Sequence, residues 1–245
     1  MMTTTVDAVK QTRISAKNLG SLALENSCER CFWLKMRLEN HLPYQIFPGV
    51  FSSIDSYSKK ITNLHYAKHG RIPVWFSDYG QPVKVPHHSK FRLTDSNTGI
   101  LLTGVPDEIL HSDAGYTILD YKTAKFTENQ DSLLPMYAAQ LNAYSLIAEQ
   151  TGMAPVIGLA LVYYEPVTDI GEIDTLICRQ GFGMGFNAHI LPVQRDNDLV
   201  PSLMARAKAI TDMAVPPESR DGCKDCAAVE TMMGLVGCHS LAEVA

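Results

Sequence analysis

Residues 104–125, GVPDEILHSDAGYTILDYKTAK, have the pattern of a buried β-hairpin, yet Asp120 and Lys122 interrupt its second strand. Successive side chains of a strand point to opposite faces. Asp120 and Lys122 therefore continue the same face as the apolar residues Tyr116 and Ile118. The alternation predicts that this strand carries charge at the end of an apolar surface.

The turn residues 112–115 set the register of the predicted hairpin. In a regular antiparallel hairpin centred between residues 113 and 114, position 107 lies opposite position 120, so Asp107 meets Asp120. The same register predicts two further pairs: Ile109 with Ile118, and Val105 with Lys122. Two acids and a lysine are thus expected to converge at one end of the hairpin.

Opposed carboxylates near a core repel each other and lose hydration, so Asp107 and Asp120 require a positive partner. Lys122 alone could serve as that partner in a salt bridge. A hard divalent cation with oxygen ligands accounts better for both acids and for their inward direction. The pattern therefore favours a metal site over an isolated ion pair.

The chain has ordinary globular composition, with 245 residues, 46% hydrophobic and 19% charged. Such a chain predicts a single domain over residues 1–245, with residues 1–12 as a loose terminus. The first residues lack the hydrophobic stretch of a secretory signal, and no apolar run has the length of a membrane span. We therefore expect a cytoplasmic protein without a membrane partner.

Charge is unevenly distributed along the chain. The segment 59–92 holds seven Lys or Arg and one acid, a local charge of 7 minus 1, or +6. Because the net charge of the chain is −5, the residues outside this segment together carry −11. Histidines and aromatic residues are interleaved with these charges, which is a mixture suited to contacting phosphates and stacking on bases. A solvated basic face explains the segment equally well.

The order of the predicted elements indicates an α/β domain with a central mixed sheet and an antiparallel meander flanked by helices. A helix is expected from Ser52 or Ser53 to His69, and another between Pro135 and Gly152. The remaining predictions are helices over 15–38 and 198–213, strands over 90–94, 100–111, 116–123 and 156–164, and a loop over 181–186. A more exposed strand over 172–180 is expected as the neighbour of the strand over 156–164.

The six cysteines include two C-x-x-C pairs near opposite ends of the chain. Such pairs suggest metal binding before disulfides in a reducing compartment. Four thiolates suffice for a [4Fe-4S] cluster or for tetrahedral Zn²⁺, and a metal-free set of thiols is the alternative. A metal would tie the ends 15–38 and 216–245 together through Cys28, Cys31, Cys223 and Cys226. Cys178, in a predicted strand, is expected to be a core thiol.

Gln140 and Tyr144 lie at i and i+4 on one face of a predicted helix. Alone, this pair favours a tyrosine packed in the core beside a partly exposed glutamine. Combined with the hairpin, however, it completes the order G-x-x-D, D-x-K and Q-x-x-x-Y, which resembles the PD-(D/E)XK nuclease superfamily, in particular RecB-type domains and CRISPR-associated RecB-like exonucleases.

This resemblance implies a restriction-endonuclease-like core and a role for each residue of the pattern. Asp107 and Asp120 would bind Mg²⁺ or Mn²⁺, with the backbone carbonyl of Tyr121 as a further ligand. Lys122 would assist the attacking water. Gln140 and Tyr144 would lie near the site and the DNA.

Two parts of the family pattern are matched less closely. An upstream helical ligand would fall on Asp55, with His65 as a rival, although Asp55 could simply complement a helix N-terminus. The family's cysteine motif has one early and three late cysteines around an iron-sulfur cluster. Here two cysteines are early, and Cys238 is an alternative ligand that would replace Cys31.

The resemblance implies a Mg²⁺-dependent deoxyribonuclease, and more narrowly an exonuclease of DNA repair, recombination or CRISPR adaptation. Its partners would be DNA and other nucleic-acid-processing proteins. A weakly active or inactive nuclease-fold module that binds DNA or scaffolds a complex is the alternative, but a scaffold has no need to hold two opposed acids. A structural zinc protein would explain the cysteines and not the hairpin.

Overall fold

A computed structural model describes residues 11–41, 48–127, 132–169, 171 and 176–237. The strands in these ranges are β1 Arg13–Ser15, β2 Gln81–Val83, β3 Arg92–Thr94, β4 Leu101–Thr103, β5 Glu108–Ser112, β6 Gly115–Lys122, β7 Val156–Pro166, β8 Ile177–Cys178, β9 Gly181–Phe182 and β10 Phe186–Val193. The α-helices are α1 Ala16–Gly20, α2 Glu29–Arg37, α3 Gly49–His69, α4 Leu134–Gln150, α5 Leu199–Thr211 and α6 Lys224–Leu235, with 3₁₀ turns at Ser21–Ala23 and Val74–Tyr79.

The central sheet has five strands in the order β10-β7-β6-β5-β2. Strands β6 and β7 are parallel and their neighbours pair antiparallel, so β2, β5 and β6 form an antiparallel meander within a mixed sheet. A smaller sheet has the order β1-β4-β3, and β8 pairs with β9. The expected α/β architecture is confirmed, and β2 adds an edge strand that the sequence did not predict.

The two faces of β6 carry different layers of the core. Ile118 belongs to the larger apolar cluster, which α4 and the smaller sheet cover. Leu119 and Tyr121 belong to a second cluster, in which the Tyr121 ring stacks on Phe76 with centroids 6.3 Å apart. This alternation follows from the period of a strand, and it puts Asp120 on the α4 side as predicted.

Helix α4 is buried on most of its circumference because it lies between the central sheet, α1 and α5. Pro135 occupies its first turn, and Gly152, with φ 97°, follows its end as predicted. The buried position of α4 is what allows its polar residues to line an interior site.

Several predicted boundaries are wrong. The helix expected over 15–38 is divided into α1 and α2, and Ser15 caps α1 by accepting from Asn18 N–H at 3.2 Å. Helix α3 begins at Gly49, earlier than the serines expected to cap it. The strand expected over 100–111 is broken between β4 and β5, which belong to different sheets. Pro106 lies in this break, where its missing N–H costs no ladder hydrogen bond.

The neighbour of β7 is also different from the one predicted. Strand β10 pairs with β7 over eight residue pairs, whereas Ile177 and Cys178 form a short exposed hairpin with β9. The predicted pairing of residues 172–180 with β7 is therefore wrong in its described part, because β10 offers β7 a far longer ladder, although Ile177 and Cys178 do form an exposed strand. Residues 172–175 lie outside the described ranges. Cys178 is exposed and not a core thiol. Within the predicted loop over 181–186, β9 and the start of β10 are extended.

Across the ranges that the structure describes, no helix combines the length and apolarity needed to cross a membrane.

Candidate active site and cysteine centre

Asp107 lies where β5 leaves its ladder with β6. The ladder runs from Ser112↔Gly115 to Glu108↔Leu119 and includes the predicted Ile109–Ile118 pair. Beyond it, Asp107 N–H donates to Leu119 O at 3.2 Å, and Asp107 Oδ2 accepts Tyr121 N–H at 2.6 Å. The carboxylate thus takes the place of a backbone acceptor that the diverging chain removes. Because the ladder ends here, the predicted Val105–Lys122 pair is not formed.

Asp120 is buried under α4 and has polar partners on both carboxylate oxygens. Gln140 Nε2 donates to Asp120 Oδ1 at 3.1 Å and to Tyr144 Oη at 2.7 Å. Lys122 Nζ forms an ion pair with Oδ2. Burial, with Asp107 as a further cause, raises the pKa of Asp120 to about 6, although Lys122 opposes the shift. The structure therefore brings together all five residues of the predicted pattern.

Tyr144 explains why a glycine precedes the first acid by three residues. Its ring lies against Gly104 so closely that a Cβ there would be 2.3 Å from Tyr144 Cε1. The ring also packs edge-on against the buried Phe91, with centroids 6.3 Å apart. Burial raises the pKa of Tyr144, so its hydroxyl keeps its proton near neutral pH.

Lys122 has a second contact besides Asp120. Its ammonium lies 4.2 Å from the centre of the Tyr137 ring, within the range of a cation–π interaction. The lysine side chain is mostly buried, with 18% of its surface exposed. The ammonium is held between the Asp120 carboxylate and the Tyr137 ring, and the side chain keeps a small exposed surface.

Helix α3 approaches Asp107 from the opposite side through a residue that the sequence did not single out. Lys59 Nζ lies 2.8 Å from Asp107 Oδ1 and 2.8 Å from Asp55 Oδ2. Partial burial lowers the pKa of Lys59, but the two carboxylates outweigh this and raise it overall. The i, i+4 spacing of Asp55 and Lys59 was the available signal, since it predicts an ion pair on one helix face.

The two candidates for the upstream ligand are placed differently. Asp55 is linked to Asp107 through Lys59. His65 lies ten residues farther along α3, about 15 Å at about 1.5 Å per residue. Its Nδ1 lies 2.9 Å from Arg71 O. The structure thus brings Asp55 near the acids and leaves His65 away from them.

The oxygen atoms around the hairpin end suit a hard cation. Asp107 and Asp120 present carboxylates, and the N–H of Tyr121 points towards Asp107. The N–H and C=O of one strand residue point to the same side, so the Tyr121 carbonyl faces Asp107 as well. Two carboxylates and a carbonyl are ligands of the kind that Mg²⁺ and Mn²⁺ prefer. One oxygen of each carboxylate already forms an ion pair with a lysine: Lys59 with Asp107, and Lys122 with Asp120. The two acids therefore already attract positive charge to this position.

Glu108, next to Asp107, is a buried acid that sequence analysis missed. It points to the opposite face of the sheet, where Tyr121 Oη donates to its Oε2 at 3.5 Å. The residue is 2% exposed, and burial raises its pKa to about 7. Strand alternation from Ile109 would have placed it inside, but no charge pattern distinguished it from a surface acid.

The two C-x-x-C pairs meet as predicted. The Sγ–Sγ distances are 3.6 Å for Cys28–Cys226, 3.5 Å for Cys31–Cys223 and 3.5 Å for Cys31–Cys226. All four sulfur atoms lie within 4.8 Å of one another, which is close enough to hold a metal ion. Cys238, the alternative ligand, lies outside the described residues.

Burial and mutual contacts change the acidity of the thiols in this cysteine centre. Burial raises the pKa of Cys226 to about 12 and raises that of Cys31 further. At Cys28 burial acts in the same direction, but hydrogen bonds, including one from Arg220 N–H at 3.5 Å, lower the pKa to about 7. Four thiolates this close repel, so a full set of thiolates requires a positive ion between them.

The end of the basic segment borders the acidic site. Lys84, Lys90 and Arg92 are exposed. Arg92 pairs in β3 with Thr103, the residue before Gly104. Arg92 therefore lies on the strand pair next to the site, while Lys59, at the start of the segment, contacts Asp107 directly.

A model of the PD-(D/E)XK nuclease superfamily matches residues 24–231, which is well over half of the chain. Among the solved structures it resembles is the crystal structure of SSO0001, with 12% sequence identity, a TM-score of 0.40, and coverage of 93% of this chain and 88% of that one. No curated protein sequence matches.

Proposed function

The chain belongs to the PD-(D/E)XK nuclease superfamily, and on this premise we propose that it is a Mg²⁺- or Mn²⁺-dependent deoxyribonuclease. The observation that carries the proposal is the meeting of Asp107, Asp120 and Lys122 at one sheet end, held there by Gln140. A structural role does not require a buried acid whose pKa burial raises to about 6.

Each residue has a role that follows from its contacts. Asp107, Asp120 and the Tyr121 carbonyl would hold the metal ion, which polarises the scissile phosphate and supplies an activated water when bound. Gln140 fixes the direction of Asp120, and Tyr144 fixes Gln140. Lys122, beside Asp120, would orient the attacking water or receive its proton. The exposed cations of the basic segment would bind the DNA backbone.

The motif order supports a RecB-like exonuclease in DNA repair, recombination or CRISPR adaptation, working with other nucleic-acid-processing proteins. The superfamily itself establishes only a nuclease. The motifs G-x-x-D, D-x-K and Q-x-x-x-Y carry the narrower proposal, since the structure joins all three around one acid, Asp120.

We propose Zn²⁺ as the ion of the cysteine centre, in preference to an iron-sulfur cluster. Four thiolates on one Zn²⁺ lie about 3.8 Å apart, since the Zn–S bond is about 2.3 Å and the geometry tetrahedral. Thiolates on the four irons of a cluster must lie farther apart. Contacts of 3.5 and 3.6 Å among the sulfur atoms support the single ion. A cytoplasmic location would keep these thiols reduced and available.

The test is cleavage of DNA labelled at either end, in single- and double-stranded form, with Mg²⁺, with Mn²⁺ and with neither. We expect metal-dependent release of short products from one end by the full chain. Asp120→Asn keeps the shape of the side chain and removes its charge, so it should be folded and inactive. No cleavage under any divalent metal, or equal cleavage by Asp120→Asn, would refute the proposal.

A further inference from the structure

Lys59 occupies the oxygen through which Asp107 would contact a metal. Asp107 Oδ2 is held by the N–H of Tyr121 at 2.6 Å, and Lys59 Nζ lies 2.8 Å from Oδ1. A cation bound at Asp107 through Oδ1 and the Lys59 ammonium would repel each other at this distance. Each therefore weakens the binding of the other at this oxygen.

Lys59 has a second carboxylate within reach. Its ammonium lies 2.8 Å from Asp55 Oδ2, one turn earlier on α3. The side chains of Asp55 and Lys59 are 49% and 37% exposed, whereas that of Asp107 is 12% exposed. A lysine on a flexible stem can therefore leave Asp107, keep its contact with Asp55 and stay on the solvent side.

We propose that Lys59 competes with the divalent cation for Asp107, and that Asp55 receives the lysine ammonium when the cation binds. The inference rests on the proposed metal site. Asp55 and Lys59 are then not metal ligands. Together they set the concentration of the divalent cation at which Asp107 becomes available to bind it.

The experiment measures Mg²⁺ binding by the full chain without DNA, from the rise of melting temperature with Mg²⁺ concentration. Mg²⁺ is chosen because the thiolates of the cysteine centre do not bind it. Lys59→Met should bind Mg²⁺ roughly fivefold more tightly, the effect of losing a partly exposed ion pair. Lys60→Met removes a charge from the neighbouring exposed position and should bind like the wild type.

Asp55→Asn separates the proposal from direct ligation by Asp55. It should weaken Mg²⁺ binding roughly twofold to threefold, because Lys59 is left with Asp107 alone. In the Lys59→Met background the same substitution should have no effect, since the competitor is gone. If it still weakens binding there, Asp55 is a ligand and the assignment is wrong.

The outcomes distinguish this inference from the proposed function. Wild-type protein that binds Mg²⁺, with Lys59→Met binding no more tightly, would overturn the inference alone. Wild-type protein with neither Mg²⁺ binding nor metal-dependent cleavage would overturn both. Should Lys59→Met fail to fold, Lys59→Gln removes the same charge with a polar end and is held to the same expectation.

Discussion

Lys122 is the residue whose proposed chemistry can be separated from metal binding. It contacts Asp120 and the Tyr137 ring, and it is not itself a suitable metal ligand. We predict that Lys122→Met lowers turnover by about 100-fold or more, as expected for loss of a proton-transfer group, and does not weaken Mg²⁺ binding at pH 8. Lys125→Met, at an exposed position on the same segment, is the control. A loss of Mg²⁺ binding as large as the loss of turnover would contradict this role.

Glu108 predicts a pH dependence of stability that is independent of catalysis. Burial raises its pKa from 4.5 to about 7, so the folded protein keeps this proton to higher pH than the unfolded chain. The wild type should therefore lose stability as pH rises from about 4.5 to about 7, by up to about 3 kcal/mol. Glu108→Gln should remove this loss and be more stable than the wild type at pH 8.

Urea unfolding at pH 4 and pH 8 tests this expectation. The difference between Glu108→Gln and wild type should be small at pH 4 and favour the variant at pH 8. Glu25→Gln, at an exposed acid, should follow the wild type at both values. Equal differences at the two pH values would show that the Glu108 carboxyl is not held neutral.

At the level of elements, the approach of α4 to the break before β5 determines the shape of the site. Tyr144 packs on Gly104, and a Cβ there would lie 2.3 Å from the ring. Gly104→Ala should displace the ring, loosen the Gln140–Asp120 hydrogen bond, cost about 1–3 kcal/mol and abolish most cleavage. Gly49→Ala, where no atom lies within 4 Å of the added Cβ, is the matched control. A Gly104→Ala protein of normal activity would show that Tyr144 does not position the site.

The basic segment is a second element-scale prediction. Neutralising Lys84, Lys90 and Arg92 together should weaken DNA binding and reduce its dependence on salt. With fewer phosphate contacts, the protein releases fewer counterions from the DNA when it binds. Binding to labelled DNA is measured between 50 and about 200 mM salt in the Asp120→Asn background, so that cleavage does not interfere. An unchanged salt slope would assign these residues to a solvated face.

The hairpin and its site were predictable because their signals are local. Alternation in β6 and the turn at 112–115 gave the correct register at Ile109 and Ile118, and spacing on α4 put Gln140 and Tyr144 on one face. The break at Gly104 was not predicted, because residues 100–105 are mostly apolar and give no sign of a break, and because β4 pairs in parallel with β1, near the start of the described chain.

Other differences also depend on packing between distant elements. The choice of β10 over residues 172–180 as the neighbour of β7 depends on the ladder that each can form. Lys59 reaches Asp107 only because α3 packs against β6, and spacing along one helix does not specify that packing. The motif residues of this site were thus easier to predict from the sequence than the residues, such as Lys59, that contact them from distant elements.

For the whole molecule, the cysteine centre joins the two ends of the chain beside the nuclease core. Arg30, between the early cysteines, donates to Pro217 O at 2.8 Å and pairs with Glu230 at 2.6 Å. Trp33 Nε1 donates to Met213 O at 3.0 Å. These contacts support the prediction of a single domain over residues 1–245, in which both ends unfold with the core.

Helix α6 depends on the cysteine centre more than on apolar packing, because Cys226 is its one buried residue among those described. We therefore predict that Cys226→Ser loses one Zn²⁺ per chain, lowers the melting temperature and exposes residues 216–237 to protease, since a structural zinc site contributes its binding energy to folding. Cys178→Ser, at an exposed cysteine outside the centre, should retain the metal, the melting temperature and the protease resistance of the wild type. Metal analysis, thermal unfolding and mapped limited proteolysis of the three proteins provide the measurements.

The outcomes separate the identity of the metal from its role. If the protein contains iron and not zinc, the proposed ion is wrong, but the two ends are still linked, because either centre would join α2 to α6. Two separate unfolding transitions in the wild type, or a metal-free variant in which residues 216–237 resist protease as before, would show that the ends are not held to the core by this centre.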